Sequence, residues 1–347
     1  MTGLKNGRGA DLDSDLLARL VDEFFPKGSR PSVAGGHDPS VQSFFVIPGK
    51  QGPRWIVPEN PAHGWPALRS WRPYDFASQG KWALLMAAYR AGLLGLVPGI
   101  VKIGIAIPVA ANWSHLGWEA AAAPRPVIHV GTPSGGQRFV ASLVDPCQGR
   151  ALAIAKVPIG ADAPTRILRE AELLERLTEE KPGLGPRLLF RDPDRGIAAE
   201  EVLCGRRTGR RWTAAHLAFL EQLRIPGETI SLQGAVARLR PGLGSLPRET
   251  ADGIGRILSG LEDPTPLPVV WAHGDFAPWN LFLRDGSLVA YDWEYARPLG
   301  LPLFDAMHFM WMQRYLFSDR KSDVPVKDLL AAFSIDAEYG DQISKLY

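Results

Sequence analysis

Between Val269 and Ala296 the chain reads VVWAHGDFAPWNLFLRDGSLVAYDWEYA. Two apolar runs, LFL and LVAY, flank Asp285-Gly286, a dipeptide suited to a two-residue hairpin turn. Folding one run against the other brings Asn280 and Asp292 together at the open end of the hairpin. The same span carries His273, Asp275 and Glu294, so several polar groups are held among short strands and loops. An amide oxygen beside a carboxylate is a hard-oxygen pair suited to Mg²⁺, which keeps positions for water and phosphate oxygens. Asp275 precedes Asn280 by one loop and can lie near such a cation without ligating it. A carboxylate there can accept a proton from an attacking hydroxyl.

The whole-chain balance narrows the alternatives. Lys+Arg 39 against Asp+Glu 37 gives a formal net charge of +2, so no nucleic-acid partner is expected. Hydrophobic residues at 46% and charged residues at 22% exclude global disorder. Cys147 and Cys204 cannot make a disulfide scaffold, which points to a reducing compartment and a cytoplasmic location. The first twenty residues lack an apolar segment with a cleavage site, so no secretory signal is expected. The run AGLLGLVPGIVKIGIAIPVAA, 91–111, has the length of a membrane span, but Lys102 near its centre and Pro98 and Pro108 oppose one. A buried helix followed by a short apolar strand is expected there. No integral span is expected, and a peripheral membrane contact stays open.

Along the chain, residues 1–120 read as an N-terminal extension with no chemical motif. It holds a short amphipathic helix from Leu16 to Phe25, then strands in SFFVIPG and RWIVPEN. An aromatic loop with Trp65, Trp71 and Tyr74 follows, then a helix from Lys81 to Leu96. AAAAPRP, 120–126, reads as a linker. Three alternating runs between 126 and 158 predict three antiparallel strands. A helix over Thr165–Glu180 and strands at 187–190 and 197–203 complete five strands with one helix after the third. Residues 212–264 read as largely helical, 268–297 as short strands and loops, and Phe304–Phe317 as another helix, with further helical residues to Tyr347.

The 269–296 segment resembles the catalytic loop of the aminoglycoside phosphotransferase and choline kinase family, relatives of the protein kinases. That family's pattern is His-Gly-Asp, four variable residues, Asn, then an apolar hairpin ending in Asp-Trp/Phe-Glu. The resemblance covers about residues 126–317. It implies a bilobal protein-kinase-like α+β fold: a five-stranded antiparallel N-lobe sheet with one helix over 126–203, and a mainly helical C-lobe over 204–347. It implies ATP and Mg²⁺ as cofactors, a small-molecule hydroxyl as acceptor, Asp275 as the catalytic base, and Asn280 and Asp292 as metal ligands. Lys156, a charge in the apolar strand ALAIAKVPI, would hold phosphate oxygens. Glu170 would pair with it, Glu172 being the alternative if the helix phase differs. Gly135 and Gly136 of GTPSGG sit where the nucleotide-covering loop would be. EEVLCG resembles the family's hinge, so the backbone at Glu201 and Leu203 would meet the adenine. Cys204 replaces the proline often found there and reads more readily as a buried, inert thiol than a reactive one. Asp305 would brace the catalytic loop, His273 would orient it, and Glu294 would hold metal-bound water or the loop.

The acceptor lies outside these motifs. A sugar, amino sugar or amino alcohol is the first expectation. A nucleotide-binding regulator with little turnover and a membrane-associated kinase of a lipid or polysaccharide precursor remain open. Asp319, Asp323, Asp328, Asp336, Glu338 and Asp341 form no obvious acidic cluster for an aminoglycoside. Arg206, Arg207, Arg210 and Arg211 could receive an anionic substrate or simply be solvated. The oligomeric state is not legible.

Overall fold

The computed structural model describes residues 14–32, 40–69, 71, 73, 76–108, 111–120, 122–260 and 263–317. The protein is α+β and divides into two compact units. One runs up to Arg176 and includes Pro186–Val202; the other comprises Leu177–Gly185 and the chain from Leu203 onward.

The elements up to Glu201 are, in chain order, α1 (Ser14–Arg19), β1 (Arg30–Ser32), β2 (Val41–Gly49), β3 (Gly52–Pro58), α2 (Pro61–Leu68), α3 (Phe76–Arg90), β4 (Val101–Ala106), β5 (Arg125–Val130), β6 (Arg138–Asp145), β7 (Arg150–Pro158), α4 (Ala163–Glu180), β8 (Leu188–Asp192) and β9 (Ile197–Glu201). Their strands form one nine-stranded sheet in the order β1-β4-β2-β3-β5-β6-β7-β9-β8. The five expected strands are its β5-β6-β7-β9-β8 half, with α4 inserted after the third. The strands of residues 30–106 continue the same sheet, joined where β3 pairs antiparallel with β5 through Trp55↔His129 and Ile56↔Ile128.

The middle of this sheet is covered on both faces, so β2, β3 and β5 carry runs of consecutive buried residues, while β6 keeps its alternation. Phe44, Ile56, Ile128, Phe139 and Ala155 share one face with Leu20, Phe24 and Trp113. Their neighbours Phe45, Trp55, Val57 and Val127 point to the other face, against Leu68, Met86 and Tyr89 of α2 and α3. Trp55, Trp71 and Trp82 pack edge to face or tilted, with ring centroids 4.4 to 5.6 Å apart.

Several local expectations are corrected here. Trp65 lies in α2, not in a loop. Asn60 caps that helix by accepting from Ala62 N at 3.0 Å, and Pro61 opens it, a start signal present in the sequence. The helix expected over Lys81–Leu96 is α3, which ends at Arg90. Gly92 at φ 71° then turns the chain. The 91–111 run is therefore no buried helix: a 3₁₀ turn, Leu94–Leu96, leads into β4. Lys102 on β4 pairs with Glu59 at 2.6 Å in a partly exposed bridge. Residues 120–126 are no simple linker, since β5 begins at Arg125 and pairs on both sides. No helix among the described residues is long and apolar enough to cross a membrane.

From Leu203 the chain forms β10 (Arg206–Arg207), α5 (Ala214–Gln222), β11 (Arg224–Ser231), α6 (Leu232–Leu239), α7 (Arg248–Ser259), β12 (Pro266–Ala272), β13 (Leu281–Arg284), β14 (Ser287–Ala290), β15 (Arg297–Gly300) and α8 (Phe304–Phe317). Among the described residues two three-stranded sheets, β10-β13-β14 and β11-β12-β15, accompany the α-helices α5 to α8. β11 corrects the expectation of continuous helix over 212–264. Its sequence, RIPGETIS, carries Pro226, a Gly227 at φ 78° and β-branched residues, all poor in a helix interior. The acidic residues from Asp319 onward lie outside the described residues.

Candidate active site

The Leu281–Ala290 hairpin forms as its spacing predicts. β13 and β14 pair from Leu281↔Ala290 to Arg284↔Ser287, and Asp285 and Gly286 occupy φ 52° and 83°. Positive φ at both central residues is the type I′ geometry that matches strand twist. The pairing extends past the strands: Tyr291 N donates to Asn280 O at 2.8 Å. Asp292, the next residue, therefore begins beside Asn280, and it turns out of the hairpin at φ 62°, ψ 65°. Aspartate tolerates this left-handed conformation better than most side chains, and such positions concentrate at functional sites.

The preceding loop is fixed from behind. Asp305, buried in the first turn of α8, accepts from His273 N at 2.7 Å and Gly274 N at 2.9 Å. Gly274 sits at φ 86°, and a Cβ there would overlap the Tyr295 carbonyl, so no other residue fits. His273 is fully buried. Its Nδ1 accepts from Asp275 N at 3.2 Å, which leaves Nε2–H to donate to Tyr291 O at 2.7 Å. Burial holds this imidazole below its ordinary pKa, partly offset by the bond to Tyr291. Its two ring bonds tie the ring to the main chain on either side. Burial also raises the Asp305 carboxyl to about 6, against the opposing pull of its two amide donors. Trp293, buried, packs its ring 4.6 Å from that of His273. Glu294 follows, half-buried in the 3₁₀ turn Trp293–Tyr295.

Asp275 is oriented from two sides. Asn280 Nδ2 donates to its Oδ2 at 2.9 Å and to its main-chain oxygen at 3.0 Å. His308 Nε2 stands 3.6 Å from its Oδ1. His308 was not singled out in the sequence, yet it lies one helical turn beyond Asp305 on α8, a spacing that puts both on one face. With the Asn280 amide nitrogen committed to Asp275, its amide oxygen is the atom suited to a cation. Among the described residues no three His, Cys, Asp or Glu side chains come together as a metal cluster. Asn280 and Asp292 offer an amide oxygen and a carboxylate, donor types that fit the hard-oxygen chemistry Mg²⁺ shares with water and phosphate.

The lysine expectation also has a defined geometry within the first unit. Lys156 Nζ lies 2.6 Å from Glu170 Oε1 and 3.1 Å from Glu200 Oε2, with the three residues 6%, 1% and 4% exposed. Glu170 projects from the α4 face that carries Ile167, Ala171 and Leu174, all buried. Glu172 points the other way, toward Arg191 at 3.8 Å. Glu200, at the start of the EEVLCG segment, lies in β9 opposite Ile154, one pleat from Lys156.

The loop 131–137 joins β5 to β6 and lies against the start of α4. Ile159 N and Gly160 N donate to Gln137 O, and Asp162 N donates to Gly135 O at 2.7 Å. A Cβ on Gly135 would overlap the Asp162 carboxylate, and one on Gly136 would press on Arg166. Close packing therefore requires both positions to stay small. Glu201 N donates to Arg187 O, and its carboxylate pairs with Arg187 at 3.0 Å. Leu203 N–H donates to the Tyr291 hydroxyl, which lies 3.3 Å from Leu203 O. Cys204 is exposed, contrary to the buried thiol expected. Arg206 and Arg207 form β10 on the hairpin edge, and Arg207 lies 5.7 Å from the Phe282 ring centre.

No family model and no curated protein matches the sequence significantly. Among solved structures the chain is similar to the ADP-bound aminoglycoside phosphotransferase APH(2'')-Ib, with 15% identity, 63% of this chain and 85% of that one covered, and a TM-score of 0.38. It is similar to a macrolide 2'-phosphotransferase type I, with 15% identity, 59% and 74% covered, and a TM-score of 0.38. A choline kinase from Cryptosporidium parvum Iowa II gives 14% identity, 52% and 62% covered, and a TM-score of 0.34.

Proposed function

We propose that the chain is an ATP-dependent phosphotransferase that moves the γ-phosphate to a hydroxyl of a small molecule, a sugar, amino sugar or amino alcohol. The observation that carries this reading is the oriented carboxylate: Asp275 held by Asn280 and faced by His308, in the loop that leads into the hairpin ending at Asp292. Asn280 and Asp292 would hold Mg²⁺, which supplies charge neutralisation on the phosphate oxygens when bound. Asp275 aligns the acceptor hydroxyl and takes its proton as the new P–O bond forms and the β–γ bridge breaks, leaving ADP. A loose transition state asks little of the base, so positioning dominates. Lys156, fixed by Glu170 and Glu200, is the cation for the nucleotide phosphates. Gly135, Gly136 and the main chain at Glu201 and Leu203 are the proposed nucleotide contacts, and the protein works in the cytoplasm.

A second reading, a kinase of a lipid or polysaccharide precursor at a membrane surface, has one observation in its favour. Leu84, Leu93 and Leu96 are 75%, 50% and 79% exposed around the end of α3. A Mg²⁺-dependent turnover screen with ATP and GTP against sugars, amino alcohols, aminoglycosides and lipid precursors tests both readings. Turnover of one class that disappears in Asp275→Asn supports the phosphotransferase. Turnover unchanged in that variant removes Asp275 as the base.

A further inference from the structure

We infer that Tyr291 is a latch on the nucleobase edge of the site, and that a bound base must displace its hydroxyl from Leu203. This rests on the proposed phosphotransferase reading and concerns the same nucleotide contact. Leu203 lies outside any strand, in the irregular segment after β9, so its peptide groups are not tied into a ladder. One hydroxyl serves both of them: it accepts from Leu203 N–H and donates to Leu203 O. A donor and an acceptor presented side by side by one residue are what the edge of a planar base reads, and the phenol satisfies them in its place. The alternative partner is necessary because Leu203 is buried with Phe282 and Val289, where an unsatisfied peptide group is costly.

The tyrosine is built to move at its side chain only. Its main chain is pinned twice, with N bonded to Asn280 O and its own carbonyl receiving His273 Nε2–H. Asp292 follows directly and keeps its place whichever way the ring points. The ring itself is half-buried, packed at 81° against Phe282 with centroids 5.2 Å apart. Rotation about its side-chain bonds releases Leu203 without disturbing the loop that carries Asp275. Tyr291 is thus an affinity-determining residue that works through Leu203.

The test is Tyr291→Phe in the full chain, titrated with ATP, GTP and inorganic tripolyphosphate, each with Mg²⁺. Removing the competing hydroxyl is expected to tighten both nucleotides by roughly three- to tenfold and to leave tripolyphosphate, which has no base, unchanged. Nucleotide binding that is equal or weaker in the folded variant overturns the latch and leaves the phosphotransferase reading standing. Equal tightening of tripolyphosphate also overturns it. Failure of both proteins to bind any nucleotide overturns the phosphotransferase reading and the latch together. If the variant does not fold, the wild-type protein labelled at tyrosine Cζ supplies the readout. The Tyr291 resonance is expected to shift with ATP and not with tripolyphosphate, and a resonance that ATP leaves in place overturns the proposal.

Discussion

Asp275 and His308 face each other across 3.6 Å, a loop carboxylate against an imidazole from α8. The other ring nitrogen of His308 lies 3.4 Å from Phe276 O, so the ring is anchored to the loop it faces. If this contact aligns Asp275, His308→Ala should lower kcat by about tenfold while the KM for nucleotide stays within about twofold. Steady-state kinetics against ATP check this; a change confined to KM would place His308 with substrate binding instead.

The two carboxylates on Lys156 make different predictions. Lys156→Met removes the ammonium that bridges the buried Glu170 and Glu200, and should destabilise the protein by about 3–5 kcal/mol. Glu200→Gln keeps the Glu170 pair and should cost about 1.5–3 kcal/mol. Urea unfolding of both variants compares them, and Glu200→Gln costing more than Lys156→Met would contradict the arrangement.

Asp305 sets a pH dependence. Its folded pKa of about 6 lies above the unfolded value of 3.8. The folded state therefore binds the extra proton between these values. The stability it contributes is complete below the unfolded value and is lost as pH rises through about 6. A gap of about two units corresponds to roughly 3 kcal/mol. Asp305→Asn removes this titration, so the stability difference between wild type and variant should shrink by about that amount from pH 4 to pH 7. Chemical unfolding at stepped pH measures it, and a difference that grows with pH would reverse the sign.

Gly274 admits no side chain. Gly274→Ala adds a Cβ against the Tyr295 carbonyl at a φ that alanine avoids, and should destabilise by about 1–3 kcal/mol and disorder the loop. Thermal unfolding of the variant is the check; a variant as stable as wild type would mean the loop can take another path.

The hairpin from Leu281 to Ala290 was legible because its turn chemistry and alternating apolar runs are local, and local signals survive folding unchanged. The α8 helix is legible for the same reason, whereas the Lys156–Glu170 contact follows only from the family resemblance, since no local period tells a strand lysine which helix carboxylate it meets. Glu200 and His308 escaped notice because their meaning depends on pairing and packing with elements far away in sequence. β11 was lost to a neighbouring helical pattern that outweighed Pro226 and Gly227. α2 was lost to its aromatic content, although Asn60-Pro61 marks its start. The continuity of the nine-stranded sheet was illegible in principle. Nothing local tells Trp55 that its partner is His129, and the AAAAPRP spacing looks the same whether a chain continues a sheet or begins a new one.

That continuity bears on how the protein can be cut. A chain starting at residue 126 would keep β5 but remove β3, so the main-chain groups of Ile128 and His129 on that side would meet solvent. β5 is apolar and buried on both faces in the intact sheet, with Val127, Ile128 and Val130 nearly inaccessible. An open edge of that kind templates pairing with other chains. Expression of residues 126–347 should yield a larger aggregated fraction than expression of the full chain. The residues before Arg125 are then a cover for a sticky border, whatever else they bind.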